Sequence, residues 1–118
     1  MLSKKNRLAK DLDIKKVFAR GRSFLNSGIS LRFLPKAGAG DARFAVVVST
    51  KVSKRATKRN RLKRLIREEL KSHLKTFPYG DYIISVRPTA EKLEEKKFLD
   101  LAAQIFLKVG MQPGFKND

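Results

Sequence analysis

Residues 51–75, KVSKRATKRNRLKRLIREELKSHLK, hold eleven lysines and arginines against only two carboxylates, Glu68 and Glu69, and still keep a helical period. At about 100° per residue, Asn60, Arg64, Arg67, Lys71 and Lys75 share one face of the helix, and Leu62, Leu65, Ile66 and Leu70 take the opposite one. A segment patterned like this must lay its apolar stripe on a core and keep its cationic side outward, where it meets something polyanionic. A helix that is merely solvated relieves like-charge repulsion by placing Glu four residues from Lys, and almost none of that relief is present here.

The charge is uneven along the rest of the chain. Residues 1–22 carry eight basic and two acidic side chains, whereas residues 76–118 balance at six and six. Charge that only keeps a protein in solution has no reason to separate in this way, so the formal net charge of +17 implies a one-sided basic surface. With 42% hydrophobic residues the chain escapes the composition of disordered segments, and 118 residues suit a single domain with a buried core.

No cysteine is present, which removes disulfides, thiolate nucleophiles and zinc–thiolate sites together. No apolar run approaches the ~20 residues of a bilayer span, and the start, MLSKKNRLAKD, lacks the apolar stretch of a secretory signal. A cytoplasmic location without membrane contact is therefore expected.

Coarse organisation follows from periodicity. Residues 1–10 read as a mobile basic arm. Leu12, Ile14, Val17 and Phe18 then recur at helical spacing, predicting a first helix over Asp11 to Arg20 that stops at Gly21. Ile29, Leu31 and Phe33 alternate with Ser30 and Arg32 as a strand closed by Pro35, and residues 37–42, AGAGDA, are a loop. Phe44 to Ser49 is nearly continuous in apolar residues and predicts a central strand buried on both faces. After the basic helix, Pro78, Tyr79 and Gly80 make a turn, and Tyr82, Ile83, Ile84 and Val86 form another strand. Thr89 is placed to cap a last helix whose stripe is Phe98, Leu101, Ala102, Ile105, Phe106 and Val109, leaving 111–118 as a tail. The expected architecture is a single-domain α/β two-layer sandwich, a mixed sheet of about four strands with three helices in the order α-β-β-β-α-β-α.

A protein that cleaves nucleic acid unaided needs a general acid and base, or carboxylates gathered around a metal. The one histidine, His73, falls on the Leu62 and Ile66 side of the wheel as a border or core residue, so mechanisms using two histidines are excluded. The eleven carboxylates are dispersed, and the adjacent Glu94 and Glu95 diverge on a helix. A Gly-x-Gly within 37–42 lacks the other residues of a phosphate loop. Neither catalytic nor metal-binding residues are assigned.

Cationic groups are plentiful by comparison. In Lys58-Arg59-Asn60-Arg61-Leu62-Lys63-Arg64 the arginines offer forked donors that match phosphate oxygens, and Asn60 both donates and accepts. The helix N-terminus adds amides directed at an anion. Polyphosphate binding follows from these groups, but the kind of nucleic acid does not. A helix lying on a membrane surface, a ribosomal or other structural RNA-binding protein, and a free-standing nuclease remain alternatives.

Arg59-Asn60-Arg61 followed by Leu62-Lys63-Arg64-Leu65-Ile66-Arg67-Glu68 resembles the RNR signature of the bacterial ribonuclease P protein subunit family. The surroundings agree: Asn6-Arg7-Leu8 near the start, a helix ending in Val17-Phe18 and Gly21, the run Val48-Ser49-Thr50-Lys51, and DYIISVR after the basic helix. The match extends from about Lys4 to Val109. The resemblance implies a left-handed crossover joining strand, RNR helix and strand, against the usual right-handed preference. It also implies a subunit that joins ribonuclease P RNA and assists endonucleolytic removal of the 5′ leader from precursor tRNA. Hydrolysis then falls to Mg2+ ions bound mainly by the RNA, with one monomeric protein for each catalytic RNA.

Two surfaces are implied. Lys51, Arg59, Asn60, Arg61, Lys63, Arg64 and Arg67 form the face toward the catalytic RNA, Lys54, Arg55 and Lys58 add backbone contacts, and Arg7 matches a basic family position. A shallow cleft between the first helix and the sheet, with Ile14, Phe18 and Arg32, receives the single-stranded leader. Phe18 there either stacks on a base or holds the helix to the sheet. Ile14 and Arg32 stand where many family members carry aromatics, which shifts leader contact toward Arg32 and phosphate. Lys54-Arg55 replaces a common Gly-Asn pair.

Overall fold

The computed structural model describes residues 3–111. In chain order the regular elements are α1 (Asp11–Arg20), β1 (Arg22–Leu25), β2 (Ile29–Pro35), β3 (Arg43–Val47), α2 (Ala56–Lys71), β4 (Gly80–Val86) and α3 (Glu95–Gly110), with short 3-10 turns at Lys4–Asn6, Leu74–Thr76 and Pro88–Lys92. The expected order and the three helices are present. The four strands form one mixed sheet ordered β1-β2-β4-β3, antiparallel except for the parallel pair β3 and β4. Helix α2 is the crossover between those neighbouring parallel strands, which an antiparallel hairpin turn cannot join.

Alternation along the strands divides the core. Ile29, Leu31 and Phe33 of β2 and Tyr82, Ile84 and Val86 of β4 point to the face covered by α2 and α3. Ile83 points the other way and joins Val17 of α1 and Leu8 in a smaller cluster, with Ile14, Leu34 and Ala45 packed against it. Helix α1 therefore lies across the sheet from α2 and α3. An aromatic block fastens the larger cluster: Phe33 stacks on Tyr82 with centroids 4.5 Å apart, Phe44 lies on Tyr82 at 4.9 Å, and Phe77 meets Phe44, Tyr82 and Phe106 edge-on.

Three local expectations are corrected. The apolar run 44–49 does not supply the central strand: β3 is at the sheet edge, with Val47 exposed, and β4 takes the middle with six of its seven residues buried. A hydrophobic run specifies burial but not sheet position, and here the cover comes from α2 on one face and the N-terminal segment on the other. The second correction concerns that segment. Of the arm expected to be mobile, Asn6 and Leu8 are buried, Asn6 Nδ2 donates to the Ala42 carbonyl at 2.8 Å, and Leu8 N–H donates to the Phe44 carbonyl at 2.9 Å. Its basic residues obscured these two anchors. Third, Thr89 does not cap the last helix: it lies in the 88–92 turn and its hydroxyl donates to the Ser27 carbonyl, while Glu94 occupies the N-cap of α3.

The first helix has the expected bounds but not the expected stripe. Val17 is fully buried and Ile14 half-buried, whereas Leu12 and Phe18 are exposed. Asp11 and Asp13 in its first turn complement the helix dipole. Gly21 ends it by close approach: a Cβ there would stand 2.5 Å from the Val17 carbonyl oxygen. Of the tail, only Met111 is described; 112–118 lie outside the described residues.

Candidate nucleic-acid interface

Helix α2 buries Leu62, Ile66 and Leu70 against the sheet, worth about 1.5–3 kcal/mol for each side chain removed from water. That anchoring fixes which residues face outward. Asn60, Arg61, Arg64 and Lys71 are exposed, and Arg67, Lys63, Arg59 and Lys58 are half-buried along the flanks. The helix stops at Lys71, so Lys75, expected on the same face, sits instead in the following 3-10 turn.

Ahead of the helix the chain is pinned by apolar and polar burial together. Val52 is fully buried, Ser53 is buried, and the Arg55 N–H donates to Ser53 Oγ at 3.2 Å. Arg59 Nη1 donates to the Ser53 carbonyl at 2.9 Å, so Arg59 ties the helix to this loop as well as adding charge. The result is an open hollow of about 800 Å³ lined by Lys51, Lys54, Arg55, Lys58 and Arg61 at the N-terminal end of α2. No acidic residue lies in the first turn of α2 and no side chain caps it, so its amides add to the five cations of a hollow whose lining includes one carboxylate, Glu91.

The basic surface continues past the helix. Arg7 pairs with Phe44 of β3 in an isolated parallel bridge and lines, with Arg67, a second hollow of about 300 Å³ at the sheet edge. All the expected cationic residues are thus brought to α2, the loop before it, and the neighbouring arm. Arg61 differs in one respect that its sequence neighbours do not reveal. It forms a two-pronged ion pair with Glu95 at the start of α3, its Nη2 donating to Oε2 at 2.8 Å beside the Nε–Oε1 contact. The Arg61 hydrogen bonds, followed by its charge, hold the Glu95 carboxyl below the usual carboxylate range.

On the opposite face of the sheet, α1 and β2 bring Ile14, Phe18 and Arg32 together. Ile14 packs inward. Phe18 is 49% exposed, with the Arg32 guanidinium 5.5 Å from its ring centroid and Arg32 Nη1 donating to the Phe18 carbonyl at 3.3 Å. Phe18 is therefore not a core residue, although its contacts with Arg32 of β2 still tie the first helix to the sheet. A half-open ring with a guanidinium beside it has the chemistry to stack on a base and to meet a phosphate.

A charged cluster missed by sequence reasoning supports that side. Arg43 Nε and Nη2 donate to the two carboxylate oxygens of buried Asp81, each at 2.8 Å, while Lys36 Nζ lies 3.1 Å and Asp13 3.4 Å from the pair. These hydrogen bonds raise the Arg43 pKa above its already high ordinary value. The residues are far apart in sequence and meet only because β3 and β4 pair in register, Arg43 opposite Asp81.

His73 has a structural place: its Nε2 lies 3.2 Å from Glu69 Oε2 and its ring meets Phe106 edge-on. Among the described residues no group of three His, Cys, Asp or Glu side chains is placed to hold a metal ion, and no helix is long and apolar enough to cross a membrane. Fold and site together define a small basic α/β protein that presents cations on one side of a helix and an aromatic–arginine pair across the sheet.

The sequence matches the family model described as Ribonuclease P over residues 2–110. It is 32% identical to a ribonuclease P protein component of Cyanothece sp., covering 98% of this chain and 100% of that protein, and 38% identical to one from Listeria monocytogenes, covering 79% and 78%. A solved Staphylococcus aureus RNase P protein superimposes with a TM-score of 0.81 at 25% identity over 92% of this chain and 97% of that one. The Thermotoga maritima RNase P protein does so at 0.74, also 25% identical, over 85% and 96%. The chain belongs to the ribonuclease P protein family, the protein components of an endoribonuclease.

Proposed function

We propose that this protein binds ribonuclease P RNA through α2, the loop before it and the N-terminal arm, and engages the 5′ leader of precursor tRNA in the Phe18–Arg32 cleft. The observation that carries the reading is the gathering of cations along α2, with Lys51, Lys54, Arg55, Lys58 and Arg61 in the 800 Å³ hollow at its start and Arg67 beside Arg7 in a second hollow at the edge of β3. Phosphates supply the complementary charge, and forked arginine donors fix the docking geometry. Phe18 gives a leader base a stacking surface and Arg32 meets its phosphate.

In this reading the protein positions and the RNA cleaves. Mg2+ is assigned mainly to the RNA partner, and no step is routed through a protein-held metal. Each complex contains one protein monomer and one catalytic RNA, in the cytoplasm. Reconstitution tests the whole proposal: at low magnesium, a bacterial ribonuclease P RNA should cleave precursor tRNA faster when the protein is added. An unchanged rate with well-folded protein refutes it, and cleavage by protein rigorously freed of RNA would point to a nuclease instead.

A further inference from the structure

Helix α1 forms one wall of the Phe18–Arg32 cleft, yet it buries little of itself: Val17 is its one fully buried side chain, with Ile14 half-buried beside it. A helix held at so few apolar points tilts readily, so its pose depends on polar ties. Toward its C-terminal end Arg32 of β2 donates to the Phe18 carbonyl. In its first turn Asp13 accepts from Arg43 Nη2 of β3 at 3.4 Å. Arg43 is itself fixed from below. Both oxygens of buried Asp81 take its Nε and Nη2 at 2.8 Å, and Lys36 Nζ stands 3.1 Å from the same carboxylate. Register places this cluster on the α1 side of the sheet, Arg43 opposite Asp81 and Ala45 opposite Ile83, in line with the residues against which Ile14 packs.

We propose that Asp13 is a positioning residue for the leader: docked on the Arg43–Asp81 pair, it sets the tilt of α1 and with it the opening between Phe18 and the sheet, without touching the leader itself. The inference rests on the leader-binding reading above and deepens it. Asp13 stands one helical turn before Val17, about 6 Å along the axis, and that distance is the lever over which release of the ion pair tilts the helix. Phe18 lies just beyond the pivot, so its ring turns with the helix and leaves its place beside the Arg32 guanidinium. A carboxylate in the first turn also complements the helix dipole. Asp11 does the same from an exposed position in that turn, so the dipole gives Asp13 no special part.

Binding of precursor and mature tRNA to the reconstituted holoenzyme separates these roles. Asp13→Ala should weaken precursor binding about fivefold, less than loss of the stacking contact itself, and leave mature tRNA unaffected. Asp13→Asn, which keeps an acceptor without the charge, should fall between that variant and wild type. Asp11→Ala removes a like dipole contribution and should bind both substrates as wild type does. Combining Asp13→Ala with Phe18→Ala should cost no more than Phe18→Ala alone, the non-additivity of residues that act through one contact. Wild-type precursor binding by Asp13→Ala, equal losses for both substrates, a matching loss in Asp11→Ala, or additive losses in the double variant would each overturn the positioning role while Phe18→Ala still discriminates the two substrates. A folded Phe18→Ala protein that does not discriminate them would instead overturn the leader reading, and this inference with it.

Discussion

Arg61 on α2 and Glu95 on α3 are locked in a bidentate ion pair, so Arg61 of the Arg-Asn-Arg signature, like Arg59 at the Ser53 carbonyl, is engaged within the protein before any partner arrives. The pair is solvent-exposed on both sides and contributes little to stability. Its consequence is electrostatic: Glu95 places a negative charge beside the hollow that Arg61 and Lys58 line.

Replacing Glu95 with Gln should therefore strengthen RNA binding and steepen its salt dependence by up to about one unit, because Arg61 becomes available to a phosphate. Arg61→Ala should cost less affinity than Arg64→Ala, whose guanidinium is exposed. Filter-binding titrations across a salt series check both. The carboxyl of Glu95 is held below its usual range in the folded protein, so whatever stability the pair adds is present above that ordinary range and fades as pH falls through the depressed value.

The pairing also shows where sequence reasoning reached its limit. The apolar stripes of α2 and α3 and the bounds of α1 were legible because helical period records burial directly. So was the cationic side of α2, since its opposite face had to be core. What periodicity cannot reveal is contact between distant segments: Glu95 beside Arg61, Asp81 beside Arg43, or an arm whose Asn6 and Leu8 are anchors among lysines. Sheet order was hidden for the same reason, and the apolar run at 44–49 became an edge strand. Strand β1 was not located because it is four residues long and only Phe24 in it is half-buried.

Asp81 offers a test of the buried charge cluster. Removing it by Asp81→Ala leaves Arg43 and Lys36 without their common acceptor at the start of β4. A loss of roughly 2–3 kcal/mol is expected, below the usual range for breaking a buried pair because both cations reach solvent. Denaturant unfolding with an unchanged m-value measures it.

Phe18 is half exposed, so Phe18→Ala should change stability by less than about 1 kcal/mol while weakening holoenzyme binding of precursor tRNA by about tenfold or more. Mature tRNA, which has no leader, should bind equally well to variant and wild type. Equal losses for both substrates in a folded variant would remove Phe18 from the cleft.

Alkaline pH should unfold the protein through Tyr82. Its ring is wholly buried between Phe33 and Phe44, its hydroxyl donates to the Pro78 carbonyl, and burial pushes the phenol far above its ordinary pKa near 10. Folding therefore favours the protonated phenol. The associated stability is fully present below the unfolded value of about 10 and is lost as pH rises beyond it, because the unfolded chain gives up a proton that the native one keeps. Tyr82→Phe removes this linkage. At pH 7 the variant should lose about 1 kcal/mol for the hydrogen bond, yet its stability should fall less steeply than that of the wild type between about pH 10 and 12. Urea midpoints measured over that range decide the matter: parallel curves for the two proteins would mean that Tyr82 ionises without unfolding and that the aromatic block is open to water.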